Sequence, residues 1–233
     1  MSHATARRAL LWLIPALIAG GAAVDQHFAG WGQPVVSAMV WAVFAALLGL
    51  ESAERRIALC LCLVIATLGE VFLSLVWGLY DYRLHNIPLF VPPGHVLLFW
   101  FGMQTASRVP GRLLDAVPVL SGIASVGLLI SGIDALSLAL WGLFVLACVL
   151  GRLWRVSSTR FYSWMFVLAL VMEVFATRVG NWSWRPTVPV LGWSTLNPPL
   201  AAGAFYCMLD LLVFAAAARL SRFSLRPARG AAP

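Results

Sequence analysis

The sequence predicts an all-α polytopic membrane protein of about eight transmembrane helices, arranged as two tandem parallel four-helix repeats. Three observations predict it. The chain is 61% hydrophobic and only 11% charged, where a soluble domain carries about 25% charged residues and needs them to cover itself in water. Apolar runs recur along the whole length, long enough to cross a ~30 Å hydrocarbon core. Finally, an ordered series of motifs in the first half returns in the second.

The expected spans are about 9–24, 35–50, 57–79, 95–108, 116–133, 135–151, 161–179 and 199–218. Turn and charge signals separate them: Glu51 to Arg56, Val109-Pro110-Gly111-Arg112, and Arg152 to Arg160. Ser131-Gly132-Ile133-Asp134 divides 116–151 into two helices. Arg7-Arg8, an apolar stretch and the small residues from Ala19 to Ala23 also suit a signal peptide. Because this run takes part in the repeat, it is read as a retained helix.

All 16 Lys+Arg residues are arginine, and most fall in short segments between apolar runs. The positive-inside rule explains the net charge of +7, and a nucleic-acid partner is not expected. With the N-terminus inside, the inner segments hold thirteen arginines, namely Arg7, Arg8, Arg55, Arg56, Arg108, Arg112, Arg152, Arg155, Arg160, Arg219, Arg222, Arg226 and Arg229. The outer segments hold three: Arg83, Arg178 and Arg185. The expected location is the bacterial inner (cytoplasmic) membrane, with both termini cytoplasmic. Cys60, Cys62, Cys148 and Cys207 lie inside apolar runs without C-x-x-C spacing, and read as small polarizable membrane residues.

The repeat divides the chain into 1–110 and 111–233. Glu70-Val71-Phe72 returns as Glu173-Val174-Phe175, followed one turn later by Ser74 and Thr177. Gly78-Leu79-Tyr80-Asp81-Tyr82-Arg83 returns as Gly180-Asn181-Trp182-Ser183-Trp184-Arg185: glycine, any residue, aromatic, any residue, aromatic, arginine. Ile87-Pro88 matches Val188-Pro189, and Pro92-Pro93 matches Pro198-Pro199. Phe99-Trp100 aligns with Phe205-Tyr206, Gln104 with Asp210, and Pro15 with Pro118. Four spans per unit is an even number, so both halves keep one orientation, as in parallel-repeat transporters.

Glu70 and Glu173 are the first candidates for chemistry, because acids inside apolar spans are costly and usually functional. Tying helix ends to the backbone or to arginine is the structural alternative for both. Spacing of four lets Ser74 and Thr177 donate to them. Tyr80 and Tyr82 point to one face of an extended segment, with Asp81 and Arg83 on the other; Trp182 and Trp184 repeat this with Ser183 and Arg185. An aromatic belt at the headgroups explains the residue types, but not their two-residue spacing beside arginine. An outward-opening cavity walled by both loops is the preferred reading, with His85, Asn197 and Asp210 as further binding candidates and His95 as a general acid or base. His27, His85 and His95 have no spacing that supports a metal site, and the sequence names no cofactor.

Tyr80-Asp81-Tyr82, following an intramembrane acid and preceding prolines, resembles the integral membrane carotenoid hydratases over that stretch alone. The glycine-proline-rich approach expected before it is absent, so the likeness assigns no family. Three function classes stay open. One is an enzyme acting from the extracytoplasmic side on a lipid or isoprenoid, with Glu70 and Glu173 as acid/base pair and Arg83 or Arg185 on an anionic headgroup. The others are a small-molecule or proton-coupled transporter, and a membrane binding or assembly factor. In the enzyme reading Glu70 donates the proton, while Glu173 is ionised beside Arg178 or Arg185. Membrane lipids or a lipophilic substrate are the expected partners in each.

Overall fold

Apolar helix length dictates the architecture. The computed structural model describes residues 3–28 and 30–224, which form eight α-helices and one short two-stranded ribbon. The helices are α1 (His3–His27), α2 (Gly32–Leu50), α3 (Ala53–Glu70), α4 (Val91–Thr105), α5 (Gly111–Ile130), α6 (Leu136–Leu153), α7 (Thr159–Val179) and α8 (Gly203–Ser224). Seven of them, all but α4, are long and apolar enough to cross a membrane. Arg226 and Arg229, two of the arginines that argue for orientation, lie outside the described residues.

Local chemistry marks the helix boundaries. The Ser158 hydroxyl caps α7 by accepting from the Phe161 N–H at 3.2 Å. Gly180, at φ +94°, ends α7 in the left-handed conformation that glycine adopts without Cβ strain. Pro92 and Pro93 occupy the first turn of α4, where no backbone N–H is required. The break between α5 and α6 falls at Gly132 (φ +73°), and the Asp134 carboxylate accepts from the Ser137 N–H at 3.0 Å.

In the packing, α3, α4, α7 and α8 form the centre, flanked by the α1/α2 and α5/α6 hairpins. Small residues let backbones approach there, as is usual where helices meet in a membrane. Gly203 lies against the Phe166 backbone and Gly102 against the Met165 side chain, with no room for a Cβ at either. Trp100, Tyr162, Phe99 and Phe144 fill the interior.

Strands β1 (Tyr80–Tyr82) and β2 (Trp182–Trp184) leave α3 and α7 and pair antiparallel at one end of the bundle. Two strands at one end require an even number of passes between them. Helices α5, α6 and α7 supply three, so α4 supplies the fourth. Its 15 residues rise about 22 Å, and the following 3₁₀ turn (Ala106–Arg108) adds about 6 Å, close to the ~30 Å core. Most of its residues are buried, as suits a central helix.

The end away from the ribbon is fastened by the buried Glu51. It accepts from the Trp100 indole at 2.8 Å and pairs with Arg7 at 2.6 Å and Arg55 at 3.3 Å.

Four passes put the two ribbon strands on one side of the membrane. Cysteines introduced at Leu84 and Leu191, both exposed near the ribbon, should react with a membrane-impermeant maleimide from one side of sealed vesicles. A cysteine at Arg155 should react only from the other. Labelling of 84 and 191 from opposite sides would refute four passes.

Candidate functional site

The site begins with the ribbon register. Tyr80 lies opposite Trp184, Asp81 opposite Ser183, and Tyr82 opposite Trp182. The pairing continues outward through Arg83 N–H to the Asn181 carbonyl (2.9 Å) and Arg185 N–H to the Leu79 carbonyl (3.0 Å). Side chains alternate across a strand, so the four aromatics share one face. That face turns into the bundle, where Tyr80 and Trp184 rings sit 4.8 Å apart and Tyr82 and Trp182 rings 5.7 Å apart.

Each aromatic pair serves one glutamate. The Tyr80 and Tyr82 hydroxyls both donate to Glu70 Oε2, at 2.7 and 2.6 Å. The Trp182 and Trp184 indoles both donate to Glu173 Oε2, at 2.8 and 3.0 Å. Tyr206 of α8 donates to Glu173 Oε1 at 3.0 Å. Burial, followed by the charge of Glu70, pushes the Tyr80 and Tyr82 phenols well above their ordinary range, so both remain donors. Glu173 therefore has donors on both oxygens, whereas Glu70 leaves Oε1 without a donor among the described residues.

The two arms differ by one residue: Gly78 stands eight positions after Glu70, and Gly180 seven after Glu173. The extra residue coincides with a π-helical turn, Val71–Val76, directly after Glu70. A π turn takes up one more residue than an α turn, and both arms deliver their aromatics to their glutamate.

A cavity of about 80 Å³ lies beside the pair. Glu70, Glu173, Tyr80, Tyr82, His95, Asn181, Trp182 and Tyr206 are its polar lining, and Leu17, Val36, Val40, Phe90, Leu98 and Met172 are among its apolar walls. His95 is 5% exposed, and its Nε2 has no partner. Its ring stacks on Tyr206 at 4.2 Å and 9°.

The other predicted residues sit outside the cavity lining. Arg83 pairs with the buried Asp25 at 3.0 Å and also donates to the Asp25 carbonyl at 2.7 Å. Asn181 donates to the same carboxylate at 2.8 Å. Arg185 forms a half-exposed pair with Asp81 at 3.2 Å. Neither arginine reaches a glutamate: indoles and a phenol hold Glu173, in place of the arginine expected there. Thr177 donates to the Glu173 backbone carbonyl at 2.7 Å, in place of the carboxylate. His85 occupies an exposed turn at φ +54°. Asn197 accepts from the Trp184 N–H at 2.9 Å and so steadies β2 from behind. Asp210 is fully buried beside Cys62, Cys207 and Tyr162, and neither of its carboxylate oxygens has a hydrogen-bond partner.

Sequence reasoning missed Asp25, Asn181 and Tyr206. Asp25, the acid at the end of the first apolar run, could have been matched to Arg83 by charge. Tyr206 carries only its alignment with Trp100 in the expected repeat, which does not mark it as a carboxylate donor. No family model, no curated protein and no solved structure matches the chain.

Burial separates the two arginine pairs energetically. Arg83→Met leaves the Asp25 carboxylate buried without its counter-ion and should cost about 3–5 kcal/mol. Arg185→Met removes a half-exposed pair and should cost under about 1 kcal/mol. Unfolding in detergent micelles measures both, and equal losses would contradict the anchoring role of Asp25.

Proposed function

We propose that the protein is a bacterial inner-membrane enzyme that performs carboxylate acid/base chemistry on a lipid or isoprenoid entering from the extracytoplasmic side. The observation that carries this is the composition of one cavity, lined by two buried carboxylates and a buried imidazole among mostly apolar walls. Pockets for lipophilic substrates have this form, with few polar groups fixing the reacting end. Hydrogen bonding separates the two roles. Glu70 Oε1, free of protein donors, carries and delivers the proton, while Glu173 stays a carboxylate under its indole and phenol donors. The unpartnered His95 Nε2 accepts or relays the proton in the same cavity. At about 10–15 Å³ per water the cavity has room for about five to eight waters, which suits hydration or hydrolysis as well as isomerisation.

The same proposal includes two tandem four-helix repeats, 1–110 and 111–233, related by an axis along the membrane normal, and cytoplasmic termini. Asp81 and Ser183, equivalent positions of the two motifs, stand directly opposite each other in the ribbon, as a two-fold relation would place them. The arginine distribution supports the orientation.

A proton-coupled transporter is the second reading, favoured by the buried, unpartnered Asp210 on α8. A membrane binding or assembly factor would use the same pocket to hold a pigment or lipid without turnover.

Isotopic water separates these readings. In deuterated, ¹⁸O-enriched water with a total membrane-lipid extract, the wild-type protein should introduce deuterium at carbon, or ¹⁸O, into a lipid, read by mass spectrometry. Glu70→Gln should reduce that uptake by about 10²–10⁴-fold while thermal unfolding stays unchanged. No uptake by wild type, or equal uptake by Glu70→Gln, would overturn the enzyme reading.

A further inference from the structure

A helix-interior glycine weakens its helix relative to alanine, and membrane helices retain it where a neighbour needs the space. Gly102 and Gly203 follow that rule, because an added Cβ would collide with the adjacent helix. Gly94, in the first turns of α4, does not. A Cβ built there meets nothing within 4 Å, and the residue lines the cavity. Gly94 is partly buried, and open space lies beside it where it borders the cavity. The next residue is His95, whose buried Nε2 is unpartnered on the same cavity. Leu17 of α1, Val36 and Val40 of α2, and Leu98 of α4 continue the wall from Gly94 without a polar side chain.

We infer that Gly94 is a specificity-determining residue: it holds open a slot between α1, α2 and α4 for the apolar chain of an amphiphilic ligand. The ligand's polar or unsaturated end then meets His95, Glu70 and Glu173. This rests on the acid/base reading of the site and adds the ligand's shape and direction. A bare glycine surface suits an extended chain one hydrocarbon wide, passing edge-on across the α4 backbone. A side chain at 94 would narrow the slot without touching any polar group.

The test is photolabelling of the full-length protein with a long-chain alcohol bearing a mid-chain diazirine, counting only label displaced by excess unlabelled alcohol. Peptide mapping of wild type should place that label on Leu17, Val40 or Leu98. Gly94→Leu should reduce it at least tenfold. Gly20→Leu should leave it unchanged, because the Cβ of Gly20 also meets nothing within 4 Å but lies off the cavity. Displaceable label confined to other helices, or undiminished in a folded Gly94→Leu protein, would overturn the inference. If Gly94→Leu does not fold, the wild-type map alone decides. Isotope uptake with labelling elsewhere would refute the slot and keep the enzyme reading. Labelling in the slot without isotope uptake would do the reverse.

Discussion

Two carboxylates inside an apolar bundle need donors, and a six-residue ribbon provides most of them. Without Tyr80, Tyr82, Trp182 and Trp184, Glu70 and Glu173 would be buried acids with a single phenol between them. A buried carboxylate without partners is strongly disfavoured. The ribbon can serve both acids only because its register is fixed. A slip of one strand by one residue would turn that strand's two aromatics outward and leave one glutamate without its ribbon donors. Arg83 and Asn181, clamped on Asp25, hold that register at one edge, and Asn197 holds it at β2.

The two arms reach the same arrangement by different local routes. Helix α7 runs regularly from Glu173 to its glycine stop, while α3 passes through a π turn after Glu70. The donors differ too. Two phenols donate to Glu70, whereas two indoles and one phenol donate to Glu173.

Much of the fold could be read from the sequence, because helix length and apolarity are local properties. Runs such as 35–50 and 161–179 are nearly the observed helices. The two-residue aromatic spacing announced an extended segment, and the structure has a strand at each place. Helix α4 begins at Val91, several residues before the expected 95, because Pro92 and Pro93 suggest a loop in sequence although Pro at a first turn is compatible with a helix. Partner choice was the harder part. Asp25 with Arg83, and Tyr206 with Glu173, are separated by 58 and 33 residues along the chain. No periodicity signals such pairings, and sequence proximity alone points to an arginine for Glu173. Arg178, five residues on, points instead to the exposed surface.

The most direct measurement of this account is a cross-strand disulfide at the ribbon's centre. Cysteines replacing Asp81 and Ser183 face each other in the observed register, within the ~4.4–6.8 Å Cα separation that a disulfide tolerates. Mild oxidation of the double variant in native membranes should join the two peptides nearly completely, as read by mass spectrometry. Position 81 should cross-link far less to cysteines at 182 or 184, which point to the opposite face. No 81–183 bond, or preferential bonding to 182 or 184, would contradict a ribbon that brings both glutamates to one cavity.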